Sequence, residues 1–264
     1  KMKIFVLFSL LIIFSFSHGD YVDFDKAIMG GDETQRHQFP FAVAIRSIQP
    51  GVLRRVRQCG GSLISRRAIL SSGYCLFNMV ETTVYLGAHT IEDATETHQV
   101  KINLTPASIR VHPGYVANQF NNDIAMIHLP TPIGFFNHAV NLVFLPLNAA
   151  ETFENQPAMT MGYGADGFFN ANTNRLIVAN VETLSNGACN TGALVLQPTQ
   201  MCSDGPGVCG GDDGGPLVIS RNGNYIQVGI IQVASDGGTF SACRLGTKVY
   251  TRITSFLDWI EANM

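Results

Sequence analysis

Apolar and polar residues alternate in short runs along most of this chain, over Cys59 to Ser65, Ala68 to Ser72, Thr83 to Ala88, Asp123 to Leu129, Tyr225 to Ala234 and Lys248 to Ile253. A two-residue period sends successive side chains to opposite faces of a sheet, so each run reads as a β-strand. Gly, Pro, Asn or Asp punctuates the runs, as tight turns require. No stretch before residue 250 sustains a long 3.6-residue period, and the pattern predicts an all-β barrel or sandwich. The C-terminus differs. Ile253, Phe256, Leu257 and Ile260 follow the i, i+3, i+4, i+7 spacing of one helical face, with Thr254 or Ser255 placed to cap it. An amphipathic α-helix packed on the body is expected there.

The other end breaks the pattern. Residues 4–16 read IFVLFSLLIIFSF behind Lys1 and Lys3, with small residues around Ser17 and Gly19. Such a run falls short of the roughly 20 residues that span a bilayer. Residues 1–19 therefore read as a secretory signal peptide and not as a membrane span, residues 20–27 as a short propeptide-like segment, and residues 28–264 as the domain. A secreted, extracellular destination makes the six cysteines candidates for pairing. The sequon Asn103-Leu104-Thr105 makes Asn103 a glycosylation candidate.

Composition narrows the function. Hydrophobic residues make up 46% of the 264 and charged residues 14%, which excludes a disordered chain. A net charge of −3 gives no global reason to expect nucleic acid or an anionic membrane as partner. The basic residues are nonetheless uneven. Arg46, Arg54, Arg55, Arg57, Arg66 and Arg67 crowd a stretch that contains no acid and includes the loop signal Gln49-Pro50-Gly51. They are the candidate contact for an anionic partner such as heparin. The histidines, at 18, 37, 89, 98, 112, 128 and 138, have no two- or four-residue ligand spacing, and no metal site is expected of them. With no phosphate loop or dinucleotide fingerprint, no cofactor is expected either.

Four stretches in fixed order carry a resemblance. Ile28-Met29-Gly30-Gly31, Leu70-Ser71-Ser72-Gly73-Tyr74-Cys75, Asn122-Asp123-Ile124-Ala125 and Cys209-Gly210-Gly211-Asp212-Asp213-Gly214-Gly215-Pro216 resemble the IVGG, TAAHC, DIAL and CxGDSGGP patterns of the chymotrypsin-like serine proteases. The resemblance runs from Ile28 to the end and closes on Asp258-Trp259-Ile260. Val84 to His89 and Val111 to Tyr115 look most like arthropod chymotrypsins. It implies two packed six-stranded Greek-key barrels with the active cleft between them. It also implies disulfides Cys59–Cys75, Cys189–Cys202 and Cys209–Cys243, and an ion pair between Asp212 and a new amine at Ile28.

The departures decide the expected function. The family mechanism needs a serine nucleophile, a histidine base and a buried aspartate that orients the base. Of these Asp123 alone remains. Tyr74 stands at the histidine position, and a phenol of pKa about 10 is a poor base near pH 7. Asp213 stands at the serine position, where a carboxylate is a weak attacker of an amide. A dyad of Asp212 with Asp213 is not expected, since adjacent side chains tend to diverge and Asp212 is committed to the ion pair. The oxyanion donors, Gly211 and Asp213, would share their site with a repelling carboxylate. Tryptic cleavage after Lys26 would expose Ala27 and miss Ile28 by one residue. The resemblance places Gly207 at the base of the primary specificity pocket, Gln232-Val233-Ala234 where the family has Ser-Trp-Gly, and Lys248 where it has a glycine, so a blocked pocket is expected. The reading is a secreted, non-catalytic serine-protease homologue that binds other proteins as decoy, inhibitor or cofactor in an extracellular cascade of clotting, complement or immunity. The alternative is a secreted chymotrypsin-like endopeptidase with residual or unrecognised activity.

Overall fold

A two-residue strand, β1 (Asp32–Glu33), precedes the first sheet and pairs with a strand of the second. The first sheet then forms from β2 (Ala42–Ile48), β3 (Val56–Leu63), β4 (Ala68–Ser71), β5 (Glu81–Leu86), β6 (Val100–Leu104), β7 (Ile109–Val111) and β8 (Ala125–His128), in the antiparallel order β6-β5-β2-β3-β4-β8-β7. A single 3-10 turn, Pro106–Ser108, carries β6 into β7. One bent strand thus supplies both edges, and the sheet closes into a six-stranded barrel when β6 and β7 are counted together. A short helix, α1 (Gly73–Leu76), leaves the end of β4.

The second barrel contains β9 (Pro157–Gly162), β10 (Ile177–Leu184), β11 (Gln200–Asp204), β12 (Pro216–Arg221), β13 (Asn224–Gln232) and β14 (Lys248–Arg252). Pairing of β9 with both β10 and β12 closes it, and β1 adds to β10. Two further helices are short, α2 (Asn186–Cys189) and α3 (Leu257–Ala262). This computed structural model describes residues 28, 30–117, 119–134, 136–165, 172–190, 195–232 and 247–264. The leader expected at residues 1–19 and the propeptide-like segment expected at residues 20–27 lie outside the described residues. Among the described residues, no helix is long and apolar enough to cross a membrane.

Packing follows from the two-residue period. On β2, Val43 and Ile45 point into the first barrel with Ile69, Val84, Leu86 and Ile127. Ala42 and Ala44 point the other way, into a core shared by both barrels with Leu70, Met126, Met161, Tyr163, Val218 and Ile230. Leu217, Ile219, Val228 and Ile231 fill the second barrel. A strand at the seam is therefore apolar on both faces, with alanines where the barrels approach.

The C-terminal helix is shorter than its periodicity suggested. Ile253–Phe256 form a 3-10 turn before α3, and no side chain caps either element. The expected caps, Thr254 and Ser255, are consumed inside that turn. Ile253, Phe256 and Ile260 still bury their apolar face in the shared core.

Candidate functional site

The site forms where the end of β4 and α1 meet the loop before β8 and the turn before β12. Ser72 starts α1 by accepting a hydrogen bond from the Cys75 amide through its Oγ at 3.3 Å. Gly73 is required by close approach, since a Cβ there would lie 2.9 Å from the Tyr115 ring and 3.2 Å from Asp123 Oδ1. The disulfide Cys59–Cys75 ties α1 to β3. On the other side, the Gly60 amide donates to the Asp213 carbonyl at 2.7 Å.

Tyr74, Asp123 and Asp213 are thereby brought together. Asp123 is buried, and its Oδ1 accepts the Tyr74 amide at 2.7 Å. Burial pushes its carboxyl up to about 7, against the pull of the Tyr74 and Gly73 amides and the Arg57 charge. Thr251 Oγ1 donates to the Asp123 carbonyl at 2.8 Å, and Gln232 Nε2 donates to Thr251 Oγ1 at 2.7 Å. Gln232 thus supports the aspartate's backbone through Thr251.

Burial, and then the nearby Asp213 carboxylate, raise the Tyr74 phenol above its ordinary value of 10. A base must first lose its proton, and this environment holds the proton on. The Arg57 guanidinium lies over the Tyr74 ring, 3.9 Å from its centroid, and donates to the Tyr74 carbonyl. Asp213 is itself buried. Beside Tyr74 opens a cleft of about 320 Å³, lined by Gln49, Arg57, Tyr74, Phe77, Met79 and Tyr115 among others. Tyr115 and the stacking of Arg57 were missed in the sequence; both depend on contacts across loops.

Asp212 is fully buried, and its carboxylate accepts the Gly164 and Cys209 amides, each at 2.8 Å. Burial pushes it up to about 7. Gly162 and Gly164 leave no room for a Cβ against it. Ile28 is buried against Ile177 and Ala179. Gly211 stands before this pair with φ +97, a conformation L side chains rarely adopt.

In the specificity region, Gly207 is buried, while Val233 and Ala234 lie outside the described residues. Lys248 is completely buried on β14, and its Nζ donates to the Gly205 carbonyl. Desolvation lowers its pKa, partly offset by Asp204. Cys189 pairs with Cys202, and Cys209 is disulfide-bonded, its expected partner Cys243 lying outside the described residues. Asn103 is exposed on β6 and accepts from Thr83 Oγ1 at 3.0 Å.

The six arginines do not form one patch. The strand from Arg57 to Leu63 alone spans about 20 Å and keeps Arg66 and Arg67 apart from the hairpin. Arg66 donates to the Ile133 and Gly134 carbonyls, and Arg67 to those of Leu129 and Pro130. Arg46 pairs with Glu92 at 2.6 Å, Arg54 pairs with Glu81 at 2.5 Å, and Arg57 turns to Tyr74. The stretch lacks acids of its own, but β5 and the loop after it supply them.

The comparisons agree with this architecture. The Trypsin family model matches residues 28–260, and the chain belongs to that family, the chymotrypsin-like serine protease domains. Brachyurin from Leptuca pugilator is 32% identical over 238 residues, covering 89% of this chain and 97% of that protein. Chymotrypsin from Phaedon cochleariae is 29% identical, covering 92% and 84%. Melanization protease 1 from Drosophila melanogaster is 30% identical, covering 92% and 66%. A solved structure of HL collagenase matches with a TM-score of 0.75 at 26% identity, covering 89% of this chain and 98% of that one.

Proposed function

We propose that this protein is a secreted trypsin-family member without proteolytic activity, which binds other proteins of an extracellular protease cascade as decoy, inhibitor or cofactor. One observation carries the reading. At the position of the base stands a phenol whose proton is held on by burial and by Asp213, with the Arg57 guanidinium laid across its ring. At the position of the nucleophile stands a carboxylate. Neither group can generate an alkoxide, and without its triad a protease of this kind keeps only about 10³- to 10⁴-fold acceleration over water.

Buried Lys248 at the glycine position of the primary pocket supports the same reading. The disulfides support secretion, with residues 1–19 as leader and residues 20–27 as a short segment before the domain. The relation to Melanization protease 1 supports the immune branch of cascade roles. With Arg46, Arg54, Arg57, Arg66 and Arg67 turned to partners within the chain, a contact with heparin or an anionic protein would centre on exposed Arg55 and draw Arg54 from its exposed pair with Glu81. Treating the purified protein with a fluorophosphonate, before and after limited tryptic cleavage, tests the loss of the nucleophile. Intact mass should show no adduct; a stoichiometric adduct would return the chain to the endopeptidase alternative.

A further inference from the structure

We propose that His37, His98 and His138 form a binding site for a divalent transition-metal ion of the zinc type. The three lie far apart in sequence, on the segment before β2, the turn before β6 and the loop after β8. The fold brings their rings together: centroids are 5.0 Å apart for His37 and His138, 4.7 Å for His98 and His138, and 5.9 Å for His37 and His98. Edge-to-face packing and shared ligation both allow this spacing. An imidazole nitrogen sits about 2.0–2.1 Å from zinc and about 1.1 Å from its own ring centroid, so two rings on a tetrahedral ion have centroids about 5 Å apart.

Two independent features mark His37. Its Nδ1 is buried and has no hydrogen-bond partner, a state that buried polar atoms rarely tolerate. Its backbone adopts φ +62, an uncommon and costly conformation for a non-glycine residue. A cluster of three rings held only by edge-to-face packing accounts for the proximity. It does not account for the orphaned nitrogen.

His98 and His138 are exposed, so their rings can turn. Among the described residues no three donor groups already converge in ligating geometry, so the ion would draw the exposed rings onto His37 Nδ1. The loops behind them are fixed by packing. A Cβ at Gly87, which has φ +68, would lie 2.9 Å from the His98 carbonyl and 3.2 Å from that of Ala139. The charges facing His37 are His138, His98 and Arg36, which together with burial lower its pKa, and Glu96, which raises it. Glu96 is already occupied, accepting the His89 and Thr90 amides. Three neutral imidazoles would leave a fourth position for water or for a group from another molecule.

The full-length, chelator-stripped protein titrated with Zn²⁺ by calorimetry at pH 7.5 tests the site. One equivalent should bind with a micromolar or tighter Kd, and a tenfold excess over Kd should raise Tm by about 3 °C or more. His98→Ala and His138→Ala, at exposed positions that leave the fold unchanged, should each weaken binding at least tenfold. His112→Ala should not. Affinity should collapse near pH 5.5 as the imidazoles protonate. Equal affinity in the His98→Ala/His138→Ala double variant, or no one-equivalent binding to the unaltered protein, would overturn the assignment.

Discussion

Asp212, in the turn before β12 of the second barrel, and Tyr74, on α1 after β4 of the first, differ in what surrounds them. Around Asp212 the supporting frame is complete: the carboxylate is buried, two amides donate to it, and glycines leave it space. Around Tyr74 the frame is also complete, with Ser72 capping α1 and Asp123 accepting the Tyr74 amide, while in the proposed reading the side chains at the reacting positions are a phenol and a carboxylate. Folding itself maintains the first kind of feature, because a buried N–H without an acceptor costs about 1–3 kcal/mol. Nothing in folding maintains an imidazole at residue 74 or a hydroxyl at residue 213. Loss of chemistry can therefore leave the barrels intact.

The largest expected effect strikes the frame. Asp212→Ala orphans the Gly164 and Cys209 amides and opens a void, and should cost about 3 kcal/mol, lowering Tm by about 6–12 °C in thermal melts. Tyr74→Phe, which removes only a hydroxyl at the altered site, should stay within about 0.5 kcal/mol. A reversed ranking would break the contrast.

Next comes pH. Asp123 and Asp212 keep their protons to about 7 in the folded state, whereas an unfolded aspartate releases its proton near pH 4. Between those values the native chain binds more protons, so stability should fall as pH rises through this window, by up to about 4 kcal/mol for each group. Burial lowers His37 in the folded state, so its contribution runs the other way and is lost as pH falls through about 6.5. Denaturant melts of Asp212→Asn across pH 4–7 should show a flatter slope than those of the unaltered protein. An unchanged slope would mean that Asp212 does not titrate in this range.

Lys248→Met removes a desolvated amine while keeping its bulk, and should raise stability by about 1 kcal/mol. Arg54→Ala breaks an exposed pair with Glu81 and should change stability by less than about 0.5 kcal/mol. Smallest of all is the expected gain from restoring the family residues. Tyr74→His with Asp213→Ser should stay nearly inactive on small apolar esters, because Arg57 still covers residue 74 and, in the proposed reading, buried Lys248 would still fill the primary pocket. Robust esterase activity would show that the cleft is intact.

Strands β4, β5 and β14 lie within runs bounded by turn residues and were legible in the sequence. β2 was not, because it is apolar on both faces where it lies between the first barrel's interior and the shared core. β1 and β7 carry too few residues for any period to show. Tyr74, Asp123 and Asp213 were singled out from contiguous motifs, and the fold brings them together. The cover of Arg57 over Tyr74, the wall formed by Tyr115 and the meeting of His37 with His98 and His138 were not, since each joins segments far apart in the chain. The six arginines, close in sequence, are spread in the fold for the same reason: proximity in sequence along an extended strand is not proximity in space.

The central claim is that the cleft has lost its chemistry while keeping its frame. Its most direct test is hydrolysis of fluorescent casein by the purified protein, tryptically cleaved and then freed of trypsin, beside an Asp123→Ala variant. The account predicts that both match the buffer blank. Saturable turnover that Asp123→Ala abolishes would contradict it.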